Sequence, residues 1–447
     1  MKVQTALSVI IYLSFSPAGA QNVSQAWTVQ ECMQYAVEHN HEVKRAELEL
    51  DSYKAQKTGA AGKFLPSIEA SIGSQYNFGR AIDPETNGYT DVSTFYNGYS
   101  LYASLPVFDG FSRIHALKAA KASALMGRMV LRQMQDQTAL NVLQAYTNVA
   151  YYEGLVKMAG EKVQETELLL KQARLLEEVG RKSAADVAQI ESQKAEADYE
   201  LTRQQNLYAS AILELKKTMA FPIRDSLSLQ TPQERTLSPS KMNSDSVTDG
   251  LGLEQELNPE LQVARYQMQT SKHEWRQARA ALLPALSLSA GLNTTYYHTL
   301  HSDAGQSFHN QFKNNMGEYV GATLSIPLFN RLQSITNIRR AKNNYKMARE
   351  SYEEKQLELE KLSREAWQDW KGYLKQTKQM EKKVEADSLA YQLTRRQFEE
   401  GLSTAIDLHT TSSQLMNSKA TLLQCQLMAM VKHELVRYYN GEQIWIE

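Results

Sequence analysis

Alternating apolar and polar residues predict four β-strands, arranged as two pairs. The alternation runs over 67–78, 99–107, 286–293 and 320–326. A period of two is typical of strands with one apolar and one polar face. Polar loops over 79–94 and 298–317 join the strands of each pair. Aromatic residues crowd the strand ends beside these loops, as in the girdle of a membrane barrel: Tyr76, Phe78, Phe95, Tyr96, Tyr296, Tyr297 and Tyr319.

Two long stretches without proline predict long helices. Proline is absent from 107–221 and from 328–447, and a helix interior excludes proline. Tyrosine or apolar residues recur every seven positions from Ile338 to Met380, which is coiled-coil periodicity. Residues 107–179 are therefore predicted to form one rod of about 110 Å, at about 1.5 Å per residue. The tyrosines of the seven-residue series are interpreted as helix-packing core.

The second half of the chain repeats the first. The motif at 40–43 returns at 258–261, and Gly180 returns as Gly401. Each half reads as helix, strand, loop, strand, long helix, tight turn and helix. The predicted organisation is a signal peptide over 1–20, a first repeat over 21–220, a linker or equatorial segment over 221–257, a second repeat over 258–440 and a short tail over 441–447. The first repeat is predicted to contain a β-hairpin at 67–108 and a helical tip at 180. The second is predicted to contain a β-hairpin at 285–329 and a tip at 401.

Charge and hydropathy narrow the possible functions. The chain has 49 Lys and Arg against 50 Asp and Glu, so its formal net charge of -1 implies no general affinity for nucleic acids. Residues 1–20 combine a basic start, a short apolar run and a small-residue cleavage site, as a secretory signal does. No later apolar run reaches the roughly eighteen residues that a membrane helix needs. Any membrane passage must therefore use strands.

Four strands cannot close a barrel, and an open strand edge in lipid leaves backbone groups unpaired. Two copies would supply eight strands, and a barrel of about eight strands is filled by its own side chains. Three copies would supply twelve strands and leave a passage. The alternation on its own also fits the half-buried strands of a soluble sheet. The signal peptide and the absence of other strands favour the membrane barrel.

The ordered, duplicated set of motifs resembles the outer-membrane efflux protein family, the TolC-like trimeric conduits. The set comprises the opening helix from Glu31 to Asn40, Leu65-Pro66, Leu283-Pro284, Pro106, Pro327 and the Gly-x5-Asp tips. The resemblance implies a mainly α chain with a membrane β part: a homotrimer whose twelve-stranded outer-membrane barrel continues into a twelve-helix periplasmic tunnel. It also implies a periplasmic adaptor, an inner-membrane pump and outer-membrane lipid as partners.

Candidate functional residues lie at the helical tips. Asp186 and Asp407 follow a Ser or Thr by three residues, which is a helix-start pattern. The same acids, three per trimer, could form a ring that favours cations at the tunnel entrance; by resemblance, Asp407 is favoured. Thr410 and Ser403 stand where relatives carry an acid and an arginine. The residues expected at the tips for adaptor docking are Gly180, Arg181, Lys182, Gly401, Leu402 and Ser403.

Catalytic, cofactor and metal motifs are not predicted. Gly62-Lys63 lacks the Ser or Thr and the first glycine of a phosphate loop, and no serine elbow is present. His298, His301 and His309 form the one cluster of possible ligands, but no acidic or cysteine pair completes a shell. Two rival functions stay open: a soluble periplasmic coiled-coil adaptor or scaffold, and a secreted metal-dependent enzyme built on these histidines.

Overall fold

The computed structural model describes residues 26–82, 87–91, 93–230, 257–300 and 306–445. The predicted signal peptide, most of the predicted linker 221–257, and His301 lie outside these residues. In chain order the elements are α1 (Val29–His39), α2 (His41–Gly62), β1 (Ser67–Asn77), β2 (Arg80–Ile82), β3 (Tyr89–Asp91), β4 (Thr94–Asp109), α3 (Ser112–Glu178), α4 (Ala184–Met219), α5 (Pro259–Ala280), β5 (Ala285–Thr299), α6 (Phe308–Asn314), β6 (Gly317–Ser325), α7 (Gln333–Glu399) and α8 (Ala405–Tyr439). The mainly helical chain with four long strands is confirmed.

The four long strands form one antiparallel sheet in the order β1-β4-β5-β6. Its register gives one apolar and one polar face, because paired residues point to the same side. One row across the sheet is Ile68, Ala103, Ala290 and Val320. A neighbouring row on the other face is Ser67, Ser104, Ser289 and Gly321. The alternation predicted from the sequence is thus continuous across all four strands.

The two strand-to-helix junctions are less alike than the repeat predicts. Pro106 lies inside β4, next to a register shift between Pro106 and Phe108. Pro327 instead follows the end of β6 at Ser325, so the predicted hairpin 285–329 is too long at its end. A bulge or an unpaired edge is where a sheet tolerates proline. β1 begins at Ser67, opposite Ser104. The edge of β4 that faces β1 is therefore unpaired at Pro106.

The two predicted loops contain regular structure. The loop over 79–94 carries the short antiparallel pair β2–β3, and the loop over 298–317 carries α6. Helix α6 covers the edge of β5 that β6 leaves open. Gln311 accepts from the Tyr297 backbone N–H at 3.0 Å and donates to its carbonyl at 2.9 Å. The side chain therefore replaces a missing strand partner, which protects the edge.

Of the seven aromatic residues predicted as a girdle, Tyr76, Phe95 and Tyr296 lie on the apolar face. Tyr96, Tyr297 and Tyr319 lie on the polar face. Tyr76 contacts Phe95 with ring centroids 4.9 Å apart, and Phe95 contacts Tyr296 at 6.4 Å. Phe308 of α6 continues the series, 5.3 Å from Tyr296. Rings from β1, β4, β5 and α6 thus form one connected band near the loop end of the sheet.

Helices α3 and α7 each span 67 residues, about 100 Å at about 1.5 Å per residue. Each packs along a shorter helix, α3 with α4 and α7 with α8, as the predicted helical hairpins require. The single helix predicted before β1 is broken at Asn40, whose side chain caps α2 as Asn258 caps α5. None of the helices in the described part of the chain is long and apolar enough to cross a membrane.

The largest core lies near the middle of the long helices. It joins α1, α3, α4 and the residues after α8, including the fully buried Ile444. Asn40 donates to the Thr218 carbonyl at 2.9 Å, which ties the α1–α2 break to the end of α4. This core fixes the distance between the sheet at one end of α3 and the tip at the other.

Candidate functional site at the helical tips

Both hairpins end in the same backbone turn. Gly180 has φ +73° and Gly401 has φ +80°, a region that favours glycine. After each glycine the next N–H reaches back over a full turn: Arg181 donates to the Leu176 carbonyl and Leu402 to the Gln397 carbonyl, both at 2.8 Å. These bonds terminate the long helices and reverse the chain, as the predicted tips require.

The second helix of each hairpin starts at a capping box. Asp186 accepts from the Ser183 hydroxyl at 2.7 Å, and Asp407 accepts from the Thr404 hydroxyl at 2.6 Å. These hydroxyl bonds, and then the backbone N–H bonds from the same residues, hold the pKa of both carboxyls below the usual aspartate value. Both groups are therefore anionic at neutral pH. The helix-start interpretation of the two acids is confirmed.

The fold joins the two tips to each other. Lys182 places its Nζ 3.6 Å from the centre of the Phe398 ring, a cation–π contact between the hairpins. Burial lowers the pKa of Lys182, and the charge of Asp186 acts against this shift. Gln193 donates to the Ala405 carbonyl at 3.2 Å, across the same interface.

An apolar cluster lies behind these contacts. It draws on all four helices: Leu169, Leu170, Ala173, Val187, Ile190, Phe398, Ala405 and Leu408. Because one cluster serves both hairpins, a change that separates the tips must also expose it. The two tips are therefore held together as a unit within one chain.

The predicted tip residues differ in exposure. Asp407, Thr410, Gly180, Arg181, Gly401 and Leu402 are exposed, whereas Asp186, Lys182 and Ser403 are half-buried. Asp407 and Thr410 are three residues apart and share one face of α8. Thr410 donates to the carbonyl of Ile406 at 2.9 Å, a bond within its own helix. One chain brings Asp186 and Asp407 to the same end of the rods, as predicted.

Four aliphatic side chains project into solvent at this end. Leu175 and Val179 are 63% and 68% exposed beside one tip, and Leu402 and Ile406 are 76% and 62% exposed at the other. Exposed aliphatic groups gathered in one place are typical of a protein contact surface. The sequence interpretation included Leu402 but missed the other three, although their apolar character next to the tip glycines was a usable signal.

A polar network lies above the second tip, between α7 and α8. Asp387 accepts from Lys383 at 2.5 Å and from Gln414 at 3.1 Å, and Ser418 also donates to it. Chiefly the Lys383 bond, then those from Ser418 and Gln414, lowers the pKa of Asp387. A groove of about 480 Å³ runs along this network to Thr410. The bonds from Gln414 and Ser418 could not be predicted from the sequence, because they join α8 to α7.

The histidines predicted as possible ligands do not form a site among the residues that the structure describes. His298 lies at the end of β5 and His309 in α6, not in an irregular loop. Across the described ranges, no group of three or more His, Cys, Asp and Glu side chains could hold a metal ion. Cys32 and Cys425 are buried free thiols.

Comparison with known proteins agrees with this architecture. The family model described as "Outer membrane efflux protein" matches residues 32–220 and 250–430. The chain is 23% identical to a probable efflux pump outer membrane protein, TtgC of Pseudomonas putida, over 71% of this chain and 65% of that relative. It is also 23% identical to the outer membrane protein TolC of Escherichia coli, over 93% and 82% of the two chains. The alkaline protease secretion protein AprF of Pseudomonas aeruginosa is 22% identical over 91% and 82%.

Solved structures share the fold at low identity. A CusC structure superposes with a TM-score of 0.80 at 16% identity and covers 92% of each chain. The outer membrane protein VceC of Vibrio cholerae superposes with a TM-score of 0.77 at 13% identity, over 93% of this chain and 96% of VceC. The family match covers both repeats, including the amphipathic sheet and the two tips, and the chain therefore belongs to the outer membrane efflux protein family.

Proposed function

We propose that the chain forms the exit duct of a multipart efflux or secretion system, which conducts substrates passively from the periplasm to the exterior. One observation carries this proposal. A sheet with one apolar and one polar face continues directly into helices of 67 residues, α3 and α7. A lipid-facing wall and a long periplasmic wall are thereby parts of one chain. The family is an outer-membrane transport family, so no enzymatic step, cofactor or metal is proposed.

The open sheet edges support a homotrimer. β1 and β6 each have one strand neighbour, and unpaired backbone groups are costly in lipid. Pairing β6 of one copy with β1 of the next closes a barrel of twelve strands when three copies associate. About eight strands already fill their own interior with side chains, so three copies are the smallest number that leaves a passage. The helices below then form a tunnel of twelve helices.

We propose the division of the chain that the repeat predicts. The two repeats are 21–220 and 258–440, the segment 221–257 is an equatorial linker, and the tail follows at 441–447. Ile444 and Trp445 pack into the central core, which supports an equatorial position for the tail.

The helical tips are proposed as the controlled entrance and the contact site for a periplasmic adaptor, which links the duct to an inner-membrane pump. The exposed aliphatic residues at both tips support the contact, and the anionic Asp407 on an exposed face of α8 supports a cation-favouring ring. The relatives include efflux pump proteins and a protease secretion protein. Small molecules and polypeptides are therefore both candidate cargo classes.

The soluble adaptor or scaffold is the weaker alternative. It would require the apolar face of the sheet to be covered within the chain, yet Ile68 and Val320 on that face are 68% and 86% exposed. The metal-dependent enzyme is weaker still, since His298 and His309 are placed on different elements.

The native mass of the mature protein, extracted in detergent from outer membranes, tests the proposal. A particle with three copies of the chain is expected. A monomer in the soluble periplasmic fraction would refute the barrel and restore the scaffold. His298→Ala is expected to leave the particle and its conductance unchanged.

A further inference from the structure

We propose that a basic collar directly beneath the sheet binds the anionic headgroups of glycerophospholipids at the periplasmic surface of the outer membrane. The basic collar is the set of Lys and Arg side chains in 52–66, 112–135, 271–284 and 328–349, the four segments that adjoin the strands. This inference rests on the proposed membrane passage of the sheet. It adds a lipid class and a site to that passage.

The charge of the basic collar is strongly one-sided. The four segments contain seventeen Lys and Arg and a single acid, Glu274. The whole chain has a formal net charge of -1, so the remainder of the chain is acidic to nearly the same extent. The positive charge is thus concentrated in the first few helical turns below the sheet. In a closed trimer these turns would form a ring.

Most of these cations have no anionic partner among the residues that the structure describes. Lys54, Arg113, Arg132 and Arg349 form ion pairs. The other thirteen form no ion pair with any residue in the described ranges. Like charges at this density repel one another, and an external anion relieves the repulsion. The basic collar therefore carries positive charge that anionic side chains do not balance.

An exposed apolar zone separates the sheet from the basic collar. Leu65 is 69% exposed, and Leu328 and Phe329 are 92% and 78% exposed. Such residues fit the lower limit of the hydrocarbon layer. The first cations follow within one helical turn, at Lys63 and Arg331. At the surface of a bilayer, apolar side chains face the hydrocarbon layer and Lys and Arg face the headgroups, so this order of residues fits a lipid interface.

The basic collar contains a groove that fits an amphiphile. Helices α2 and α3 enclose an open groove of about 660 Å³. Its lining includes the apolar Leu50 and Leu125 and the basic Lys54, Lys57, Lys121 and Arg128. The apolar side chains suit an acyl chain, and the basic ones suit a phosphate, for which Arg and Lys are the usual ligands. A zwitterionic lipid would gain less from this lining, because its own cation opposes the basic side chains.

The groove cations lie on one face of α3. Lys118, Lys121, Leu125 and Arg128 are exposed at spacings of three and four residues, so they share a face. The buried Ala119 and Gly127 lie on a different face of α3, and Gly127 faces Tyr53 and Leu50 of α2. The presence of Leu125, 42% exposed among these cations, favours a lipid over the aqueous lumen of the duct.

Lipid titration of the purified trimer, read by native mass spectrometry, tests the inference. The probes are phosphatidylglycerol and, as the zwitterionic match, phosphatidylcholine. The test variant combines Lys57→Gln, Lys121→Gln and Arg128→Gln. We expect phosphatidylglycerol to bind at least about tenfold more tightly than phosphatidylcholine, and the variant to remove most of that difference, at about fivefold for each juxtamembrane cation.

A matched control neutralises three exposed cations of α7 that lie far from the sheet: Lys375→Gln, Lys378→Gln and Lys382→Gln. It should keep the preference for phosphatidylglycerol. Equal binding of the two lipids by the parent trimer, or an equal loss in the control, would overturn the inference. So would a variant that keeps its lipid preference but changes the anion-to-cation permeability ratio, since the cations would then line the channel.

These outcomes are separable from a failure of the proposed function. A trimer in the outer membrane without any preference for anionic lipid refutes the basic collar and leaves the duct intact. A soluble monomer refutes both proposals before any lipid is added.

Discussion

Trp445 donates its indole N–H to Oδ1 of Asp136 at 3.0 Å and so attaches the C-terminal segment to the middle of α3. Asp136 is 0% exposed, and its Oδ2 lies 3.8 Å from Nε of Arg132. Arg132 also donates to the Gly441 carbonyl at 2.8 Å. One buried carboxyl and one arginine thus hold both ends of the segment after α8.

Neutralising this carboxyl is expected to stabilise the protein above pH 6. Burial raises the pKa of Asp136 to about 6, although Trp445 and Arg132 act to lower it. A raised aspartate pKa means that the folded state binds the extra proton, so stability falls as pH rises from about 4 to 6. The raised pKa of Asp136 corresponds to a loss of about 3 kcal/mol in the free energy of unfolding once the carboxyl is ionised. Asp136→Asn should therefore raise the melting temperature of the detergent-extracted protein at pH 7.5 and flatten its pH dependence.

Trp445→Phe is the companion variant. It keeps the ring in the core but removes the donor, and a hydrogen bond to a charged group contributes about 1.5 to 3 kcal/mol. Its melting temperature should fall further at pH 7.5 than at pH 4.5, where the carboxyl of the folded protein is protonated. An Asp136→Asn protein that is less stable than the parent at both pH values would contradict this account.

The contact between Lys182 and Phe398 is expected to hold the two tips together. Lys182→Met keeps the length of the side chain but removes the charge, at a cost of about 0.5 to 2 kcal/mol for a cation–π pair. We expect more frequent or longer openings in single-channel recordings from planar bilayers. Phe398→Leu should give the same phenotype, and the double variant should add little to either.

Arg181→Met provides the matched control for this prediction. Arg181 is the exposed neighbour of Lys182, and it makes no ring contact with the described residues. Its openings should resemble those of the parent. If Arg181→Met and Lys182→Met opened the duct equally, the loss of tip charge and not the ring contact would be the cause.

Asp407 is expected to contribute to cation preference at the entrance. Hydrogen bonds from Thr404 hold its pKa below the usual aspartate range, so it stays charged from pH 8 down to pH 5. Asp407→Asn should lower the cation-to-anion permeability ratio of the trimer, and the parent ratio should be nearly constant over this pH range. Asp186→Asn should change the ratio less. The reverse order would place the first tip, not the second, at the lumen.

The sequence predicts the repeated elements well because each depends on local periodicity. The strands follow from alternation, and the tips follow from Gly180 and Gly401 with their capping boxes. Helix α6 could not be predicted in this way, because Gln311 is positioned by the open edge of β5. The contact of Lys182 with Phe398 joins residues from different repeats, and no local pattern records it. For the same reason the attachment of Trp445 to Asp136 emerged only from the fold.

Gly110 is expected to be essential to the junction between β4 and α3. Its φ is +65°, and an added Cβ would lie 2.7 Å from the Ala280 carbonyl oxygen and 2.7 Å from Cβ of Leu283. Gly110→Ala therefore combines about 1 to 2 kcal/mol of backbone strain with about 1 to 3 kcal/mol of overpacking. The yield of trimer in outer membranes and its melting temperature should both fall.

Gly180→Ala separates these two effects. Gly180 has a similar φ of +73°, but nothing lies within 4 Å of its added Cβ. The variant should show only the backbone strain, with a small change in melting temperature and a normal yield. Because the Ala280 carbonyl belongs to α5, the larger effect at Gly110 would measure how closely the starts of α3 and β5 must approach beneath the sheet. Equal losses in both variants would mean that this approach is loose.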